Sequence, residues 1–497
     1  MTLIKSLLLG SAAGLVAVAS AQAADLPTRK GPVAAEYVRV CSITVAGAPV
    51  VGFVLPGSDT CFKISGYITG QIEGGNLQNG HSVAFSTGAS LGAGAGAGAV
   101  PATAAHVATR ADGITQGTSG ITGRDSIGWT TRFNLTLDAV SNTAYGPLVA
   151  HGEYQFNYGQ GFDTTAAQGS DGGLNRAYIT WAGLTAGKID SFFSFTGGGY
   201  GWANFFSPDR KGYNQPDVLA YTASFGGGFA ATISLESSEP GSFGGVNDCQ
   251  AAPGNAGNGF NGCNTFATSG SDQGFLTTAS WNGTRVPDIV GALSVHQAWG
   301  SAQVSGVAHN VRAAGLDGSN LDTWGWAIDA GVQFNIPNFA GSQIGVTGAW
   351  SRNAAWYSGI PDGMWGEDGA VNGNGQAMAI GDAYDNGNGT WAVPTLWSVT
   401  GYSQFTVNPQ VTLQFEGSYG QVRWTNTLAG TAAGSMLFNS NSFLVGGLIH
   451  YDPVKNLDIA FELLYQDTQS TRPTALVGPW DGNANGFAAR LEITRSF

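Results

Sequence analysis

From Thr323 to Ile336 every even-numbered residue (Trp324, Trp326, Ile328, Ala330, Val332, Phe334, Ile336) is apolar, and the odd-numbered ones include Thr323, Asp329, Gln333 and Asn335. With 43% apolar residues in the chain, seven matches in a row at period two arise by chance with a probability of about 0.003. Period two belongs to a β-strand with two chemically different faces. The pattern recurs. Ile127, Trp129, Thr131, Phe133, Leu135 and Leu137 alternate with Gly128, Thr130, Arg132, Asn134, Thr136 and Asp138, and Leu457, Ile459, Phe461, Leu463 and Tyr465 alternate with Asp458, Glu462 and Gln466. A soluble sandwich alternates as well, so the pattern alone leaves open which face meets water.

Connection lengths break the tie. Alternation predicts sixteen strands, the first starting at Phe62 and the last running from Asn485 to Phe497. The intervening segments alternate between long and short. Long ones are expected at 74–124, 160–173, 196–216, 238–286, 313–322, 353–392, 425–441 and 470–484, with turns such as Gly183–Leu184, Gly227 and Asn408–Pro409 between them. Long loops on one side and tight turns on the other are the plan of a transmembrane antiparallel β-barrel, with extracellular loops and periplasmic turns. Phe275–Trp281 also alternates, but a seventeenth strand there would put loop 353–392 on the wrong side, so it is assigned to the fourth long loop. A barrel of about sixteen strands is too wide for side chains to fill and encloses an aqueous channel.

Both ends of the chain fit export to a membrane. Residues 1–23 combine Lys5, an apolar run from Leu7 to Ala19 and the small-residue site Ala21-Gln22-Ala23, the layout of a secretory signal peptide. Its removal takes the formal charge from -13 to -14 by loss of Lys5, which argues against a nucleic-acid partner. No later run of 18 apolar residues suits a membrane helix. With 77 Gly and only 11% charged residues, the composition is that of strands and loops. Residues 24–61 are assigned to an N-terminal periplasmic segment and 62–497 to the barrel. Tyr145, Tyr158, Trp181, Trp299, Trp350, Trp424 and Tyr451, near strand ends, are expected in aromatic girdles at the membrane interfaces.

Several stretches resemble one family. The segment Cys41–Tyr67 with Leu55-Pro56-Gly57-Ser58-Asp59-Thr60-Cys61, the start Ala24-Asp25-Leu26-Pro27, the run Arg176–Phe195, the turn Trp299–Gln303 and the closing strand are similar to the alphaproteobacterial porins of rhizobia and brucellae. The terminal Phe497 resembles the carboxyl-terminal signal read by the barrel assembly machinery. The resemblance implies a homotrimeric general diffusion channel, set among outer-membrane lipid and lipopolysaccharide, that passes ions and small hydrophilic solutes. It also implies that the third long loop, here about 196–216, folds into the lumen. Trp202, Phe205 and Phe206 would anchor that loop, and Asp209, Arg210 and Lys211 would project charge from it.

Inward phase adds Lys63, Arg132, Arg176 and Lys188 on the basic side and Glu153 and Asp190 on the acidic side of the expected constriction. Such charges set ion selectivity. The four cysteines allow three connectivities, of which Cys41 with Cys61 and Cys249 with Cys263 are the sequence-local pairs, in an oxidising compartment. No Cys-x-x-Cys or histidine cluster points to a metal, and no cofactor is implied. Gly94, Gly96 and Ala99 match a dinucleotide-type glycine pattern but sit in an Ala-Gly repeat with no strand before them. Asp362, Glu367, Asp368, Asp382 and Asp385 are read as a solvated acidic loop. An enzyme on a barrel would need a nucleophile or activated water beside an oriented base. Of the six histidines only His151, near Glu153, shows a sequence neighbour of that kind, and it is read as a solvated lumen residue.

Overall fold

The computed structural model describes residues 39–75, 81–84, 107–110, 115–116, 127–160, 169–196, 215–238, 279–281, 284–315, 318–360, 381–386, 388–426, 439–471 and 483–497. Sixteen strands form the wall. They are β1 (Cys61–Gly75), β2 (Ile127–Thr143), β3 (Gly146–Gln160), β4 (Gly169–Trp181), β5 (Leu184–Lys188), β6 (Asp217–Gly226), β7 (Phe229–Glu236) and β8 (Asp288–Gln297). The second half comprises β9 (Gly300–Gly315), β10 (Asn320–Asn335), β11 (Gln343–Arg352), β12 (Trp391–Asn408), β13 (Val411–Thr425), β14 (Ser440–Val454), β15 (Leu457–Ser470) and β16 (Asn483–Ser496). Each pairs antiparallel with the next, and β16 returns to β1 through Arg490↔Glu73 and Ser496↔Tyr67. Closure leaves the wall with no free edge, the condition for a sheet in hydrocarbon, where no water can satisfy backbone groups.

The two faces are inverted relative to a soluble protein. Trp324, Trp326 and Ile328 on β10 are about half exposed, whereas Ala327 and Asp329, on the opposite phase, are buried. Glu73, Asn134, Glu236, Asp288, Glu462 and Arg490 are likewise buried, while Leu293, Ile233, Phe415 and Leu463 are exposed. The apolar face therefore points outward. A cation on that face costs about 2–4 kcal/mol at the bilayer midplane, so hydrophobic registration is enforced strand by strand. Tyr145, Tyr158, Trp181, Trp299 and Tyr451 are exposed as expected for girdles, but Trp424 is buried at 7% exposure. Its even number on β13 puts it in phase with Ser418 and Val422, on the lumen side.

Three assignments change. First, β5 stops at Lys188 instead of continuing to Phe195: Gly187 adopts a positive φ of 122°, and adjacent Phe192 and Phe193 break the alternation. Second, β9 and β10 run further than expected, to Ala314↔Asn320. Their connection spans only 316–319, whereas the turn 336–342 on the opposite end is longer, so the length alternation is not strict. Third, 279–281 is a short strand that pairs Trp281 with Ala313 and Ala279 with Gly315, above the end of β8 on the same neighbour. It prolongs the line of β8 rather than adding a seventeenth wall strand, in keeping with a fourth-loop assignment; 275–278 lie outside the described residues.

An N-terminal hairpin, Val40–Val45 with Ala48–Val54, leads into β1 through Phe53↔Phe62 and Val54↔Cys61. The Cys41–Cys61 disulfide ties it to the wall. Its Ile43 packs on Cys61, Val140 and Val149, which share the inward phase at the turn end of β1, β2 and β3. Cys249 and Cys263 lie outside the described residues, as do residues 1–38.

Candidate functional site: the channel constriction

The departure of the chain at Lys188 builds the site. Residues 189–196, the start of the third loop, leave the wall and cross the inner faces of β7, β9 and β10. Glu236 on β7 accepts hydrogen bonds from Ser191 Oγ at 2.6 Å and Phe192 N at 3.0 Å. Ser305 Oγ on β9 donates to the Phe193 carbonyl at 2.6 Å, and Gln303 Nε2 reaches the carbonyls of Phe192, Phe193 and Ser194 at 3.0–3.3 Å. Wall side chains thus satisfy backbone groups that an irregular segment would otherwise leave unpaired. Phe195 lies against Gly331 on β10, where an added Cβ would come within 2.3 Å of its ring.

A second segment, from the sixth loop, meets the third inside the lumen. Phe193 is fully buried among Val290, Val307, Ala327 and Ala349 of β8 to β11 and Ala354 and Tyr357 of the sixth loop. Its ring stands edge-on to Tyr357 at 5.0 Å. Tyr357 belongs to a single 3-10 turn, Ala355–Ser358, and donates to Asp288 Oδ2 at 2.5 Å. Burial beside Asp288 and Glu236 raises the Tyr357 phenol well above its ordinary pKa, so it stays a donor. His309 lies between two carboxylates, Nδ1 at 2.7 Å from Asp288 and Nε2 at 3.1 Å from Asp382. Both nitrogens donate only when the ring carries two protons. Asp382 also accepts the Ala355 N–H at 2.7 Å, so it fastens the loop rather than sitting in a solvated acidic stretch. Asp385 is in a short pairing with Trp391; Asp362, Glu367 and Asp368 lie outside the described residues.

The charged side of the site centres on Arg176 of β4. Its guanidinium meets Asp190 through Nε at 3.0 Å and Nη2 at 2.8 Å, and Glu153 of β3 through Nη1 at 3.1 Å. Asn134 and Asn175 donate to the other Glu153 oxygen at 2.6 and 2.9 Å. Asn175 is available because the register slips by one residue between Glu153 and Tyr154, a bulge that aims an extra side chain inward. Asp190 sits beyond the last residue of β5, where burial pushes its carboxyl above the usual range against the opposing pull of Arg176 and Gln215. The three ionic groups remain 12–29% exposed, open to the lumen.

Other expected members are placed differently. Arg132 is inward on β2 and donates to Asn157 at 2.7 Å, on the wall beside the Arg176 group. Lys63 is inward near the turn end, opposite Asp138 in the register. Lys188 pairs with Ala177 and Asp217, which puts it in the outward phase, and its ammonium donates to the Gln215 carbonyl at the base of the loop. Asp209, Arg210 and Lys211 lie outside the described residues. His151 pairs with Asp138 at 2.7 Å and stacks on Tyr178 at 4.7 Å rather than meeting Glu153. Sequence reading missed Glu236, Asp288, His309 and Tyr357, whose partners are more than 20 residues away. Inward phase was the available signal for the first three. No group of His, Cys, Asp or Glu among the described residues has the arrangement of a metal site.

The porin Omp2b of Brucella canis is 29% identical over 445 residues, covering 86% of this chain and 95% of that protein, and Omp2b of Brucella melitensis matches to the same extent. Among solved structures, the outer-membrane channel DcaP of Acinetobacter baumannii covers 90% of this chain and 99% of its own at 12% identity, with a TM-score of 0.49. OmpF of Salmonella typhi, solved with daunomycin, covers 88% and 98% at 9% identity, with a TM-score of 0.45. A family model described as the Porin subfamily matches residues 25–486, nearly the whole of the closed wall and its inner loops, and the chain belongs to that family of outer-membrane porins.

Proposed function

We propose that the chain is a general diffusion porin whose water-filled lumen passes ions and small hydrophilic solutes down their gradients, without catalysis. The observation that carries this reading is the inverted, closed sheet: charged and polar groups line the inside and apolar side chains the outside. The Arg176, Glu153 and Asp190 group, with Arg132 beside it, supplies opposed charges at the narrowed level, a transverse field that orients dipolar solutes. Assembly as a homotrimer, seating among lipopolysaccharide and delivery by the barrel assembly machinery belong to the same reading. Purified protein in a planar bilayer should give ohmic current steps in triplets. Absence of any steps, together with hydrolysis of a lipid or peptide, would replace the channel with an enzyme.

The sixth-loop segment favours a second reading, a channel preferring one class of solute. It packs with the third loop inside the lumen and adds a second restricting element. Current block by one sugar or organic acid at millimolar concentration, with no block by others of the same size, would decide for it.

A further inference from the structure

Three inward positions at the turn end of the wall are apolar. Cys61, Val140 and Val149 form one row across β1, β2 and β3, whereas the next inward row, Lys63, Asp138 and His151, carries titratable groups. The N-terminal hairpin covers the apolar row. Its strand Val40–Val45 lies against β1, β2 and β3, with Ile43 on Cys61, Val140 and Val149 and with Cys41, Val45 and Val50 packed around them. The hairpin is therefore a second layer on the inner face of the wall. Stacked sheets sit about 10 Å apart, so it takes up that depth of the periplasmic mouth.

Several contacts fix it there. The Cys41–Cys61 disulfide joins its outer strand to the first residue of β1, and Phe53 stands edge-on to Phe62 at 5.5 Å. At the bend, a Cβ on Gly52 would come within 2.2 Å of the Phe62 carbonyl oxygen, a closeness that glycine permits. Thr60 Oγ1 lies 3.0 Å from Ser141 Oγ, tying the connection to β2. The face turned away from the wall pairs Ser42 with Val51 and Thr44 with Pro49, and Val40 and Val51 on it are 78% and 51% exposed. Residues 40–58 contain no charged side chain, although the row beside them holds Lys63, Asp138 and His151.

We propose that the hairpin is a second sieving level of the channel, an uncharged ribbon that narrows the periplasmic exit and restricts passage by size and hydration, beyond the charged constriction at Arg176. The proposal rests on the porin reading, in which solutes cross the turn end to reach the periplasm. The solutes it holds back are strongly hydrated ions and bulky hydrophilic molecules, to which Val40, Pro49 and Val51 offer neither charge nor side-chain hydrogen bonds in exchange for the water they displace.

The test is planar-bilayer recording from the purified chain with substitutions at Val51, whose exposure leaves the packing of the hairpin on the wall intact. Near 0.1 M salt the Debye length is about 10 Å, comparable to the depth of the hairpin. In a salt gradient around that concentration V51D should shift the reversal potential toward cations and V51K toward anions, and V51W should lower single-channel conductance by adding bulk at the exit. Reversal potentials of V51D and V51K equal to that of the wild type would overturn the proposal, as would wild-type conductance in V51W. Ohmic steps from the wild type are the separate readout for the porin reading: without them that reading fails, whereas steps with unmoved Val51 variants remove only the exit sieve.

Discussion

Phe497 and Gly66 exchange both backbone hydrogen bonds, Phe497 N to the Gly66 carbonyl at 3.0 Å and Gly66 N to the Phe497 carbonyl at 3.2 Å, so the last residue of the chain locks into the first strand. The Phe497 ring lies parallel to Phe133 across Gly66, at 6.4 Å. A Cβ on Gly66 would come within 2.1 Å of the Asn134 carbonyl oxygen and 2.9 Å of the ring. Gly66→Val and deletion of Phe497 should therefore both lower the fraction of barrel that stays folded on unheated SDS gels, the glycine change by crowding β2 and the deletion by unpairing the seam. Overpacking of this kind costs about 1–3 kcal/mol. Wild-type folded fractions for both variants would refute this account of the seam.

Removing Arg176 leaves Glu153 and Asp190 facing each other without a cation, at a level open to solvent. Arg176→Ala should shift the reversal potential in a salt gradient toward cations, and adding Arg132→Ala should shift it further. An unchanged reversal potential would take both arginines out of the selectivity-determining level.

Selectivity should also depend on pH through Asp190. Because burial raises its carboxyl above the usual range, it loses its negative charge at a higher pH than an ordinary aspartate does as the solution is acidified. Arg176 then keeps one partner, so the site gains positive charge and cation preference falls as Asp190 takes up its proton, above the ordinary carboxylate range. Asp190→Asn should remove this step from the reversal-potential curve. A wild-type curve without a step above the ordinary carboxylate range would contradict the assignment.

Phe193 joins the third loop to the sixth inside the lumen, and Tyr357 with His309 fastens the sixth to Asp288. Phe193→Ala empties a fully buried site and should cost about 3–5 kcal/mol of local packing, loosening both loops. Single-channel conductance should rise and become noisier, while resistance of the wall to heat changes little. Tyr357→Phe, which deletes one hydrogen bond and keeps the ring, should have the same effect in smaller measure. Identical conductance in Phe193→Ala and wild type would show that these segments do not narrow the path.

Much of the wall could be read from residue order because a strand's side chains repeat every two residues. The run Thr323–Ile336 displayed both faces of β10, and Glu153 and Arg176 could be placed inward by counting alone. The point where β5 ends was less legible: Thr185–Phe195 keeps enough alternation to pass for strand, and the break depends on Gly187 and on pockets for Phe193 and Phe195 supplied by β8 to β11. The single-residue slip at Glu153 that recruits Asn175 is likewise invisible until both strands are paired.

By itself the sequence determined the period, the number of wall strands and the outward sign of the apolar face once connection lengths were weighed, because these depend on neighbours along the chain; of the three connectivities open to four cysteines, the structure selected Cys41 with Cys61. Tertiary structure alone decided which segments enter the lumen. The Asp288, His309, Tyr357 and Asp382 network joins three segments of the chain. Groups so far apart along the chain carry no shared local period; only curling the sheet into a closed wall brings them within hydrogen-bonding reach.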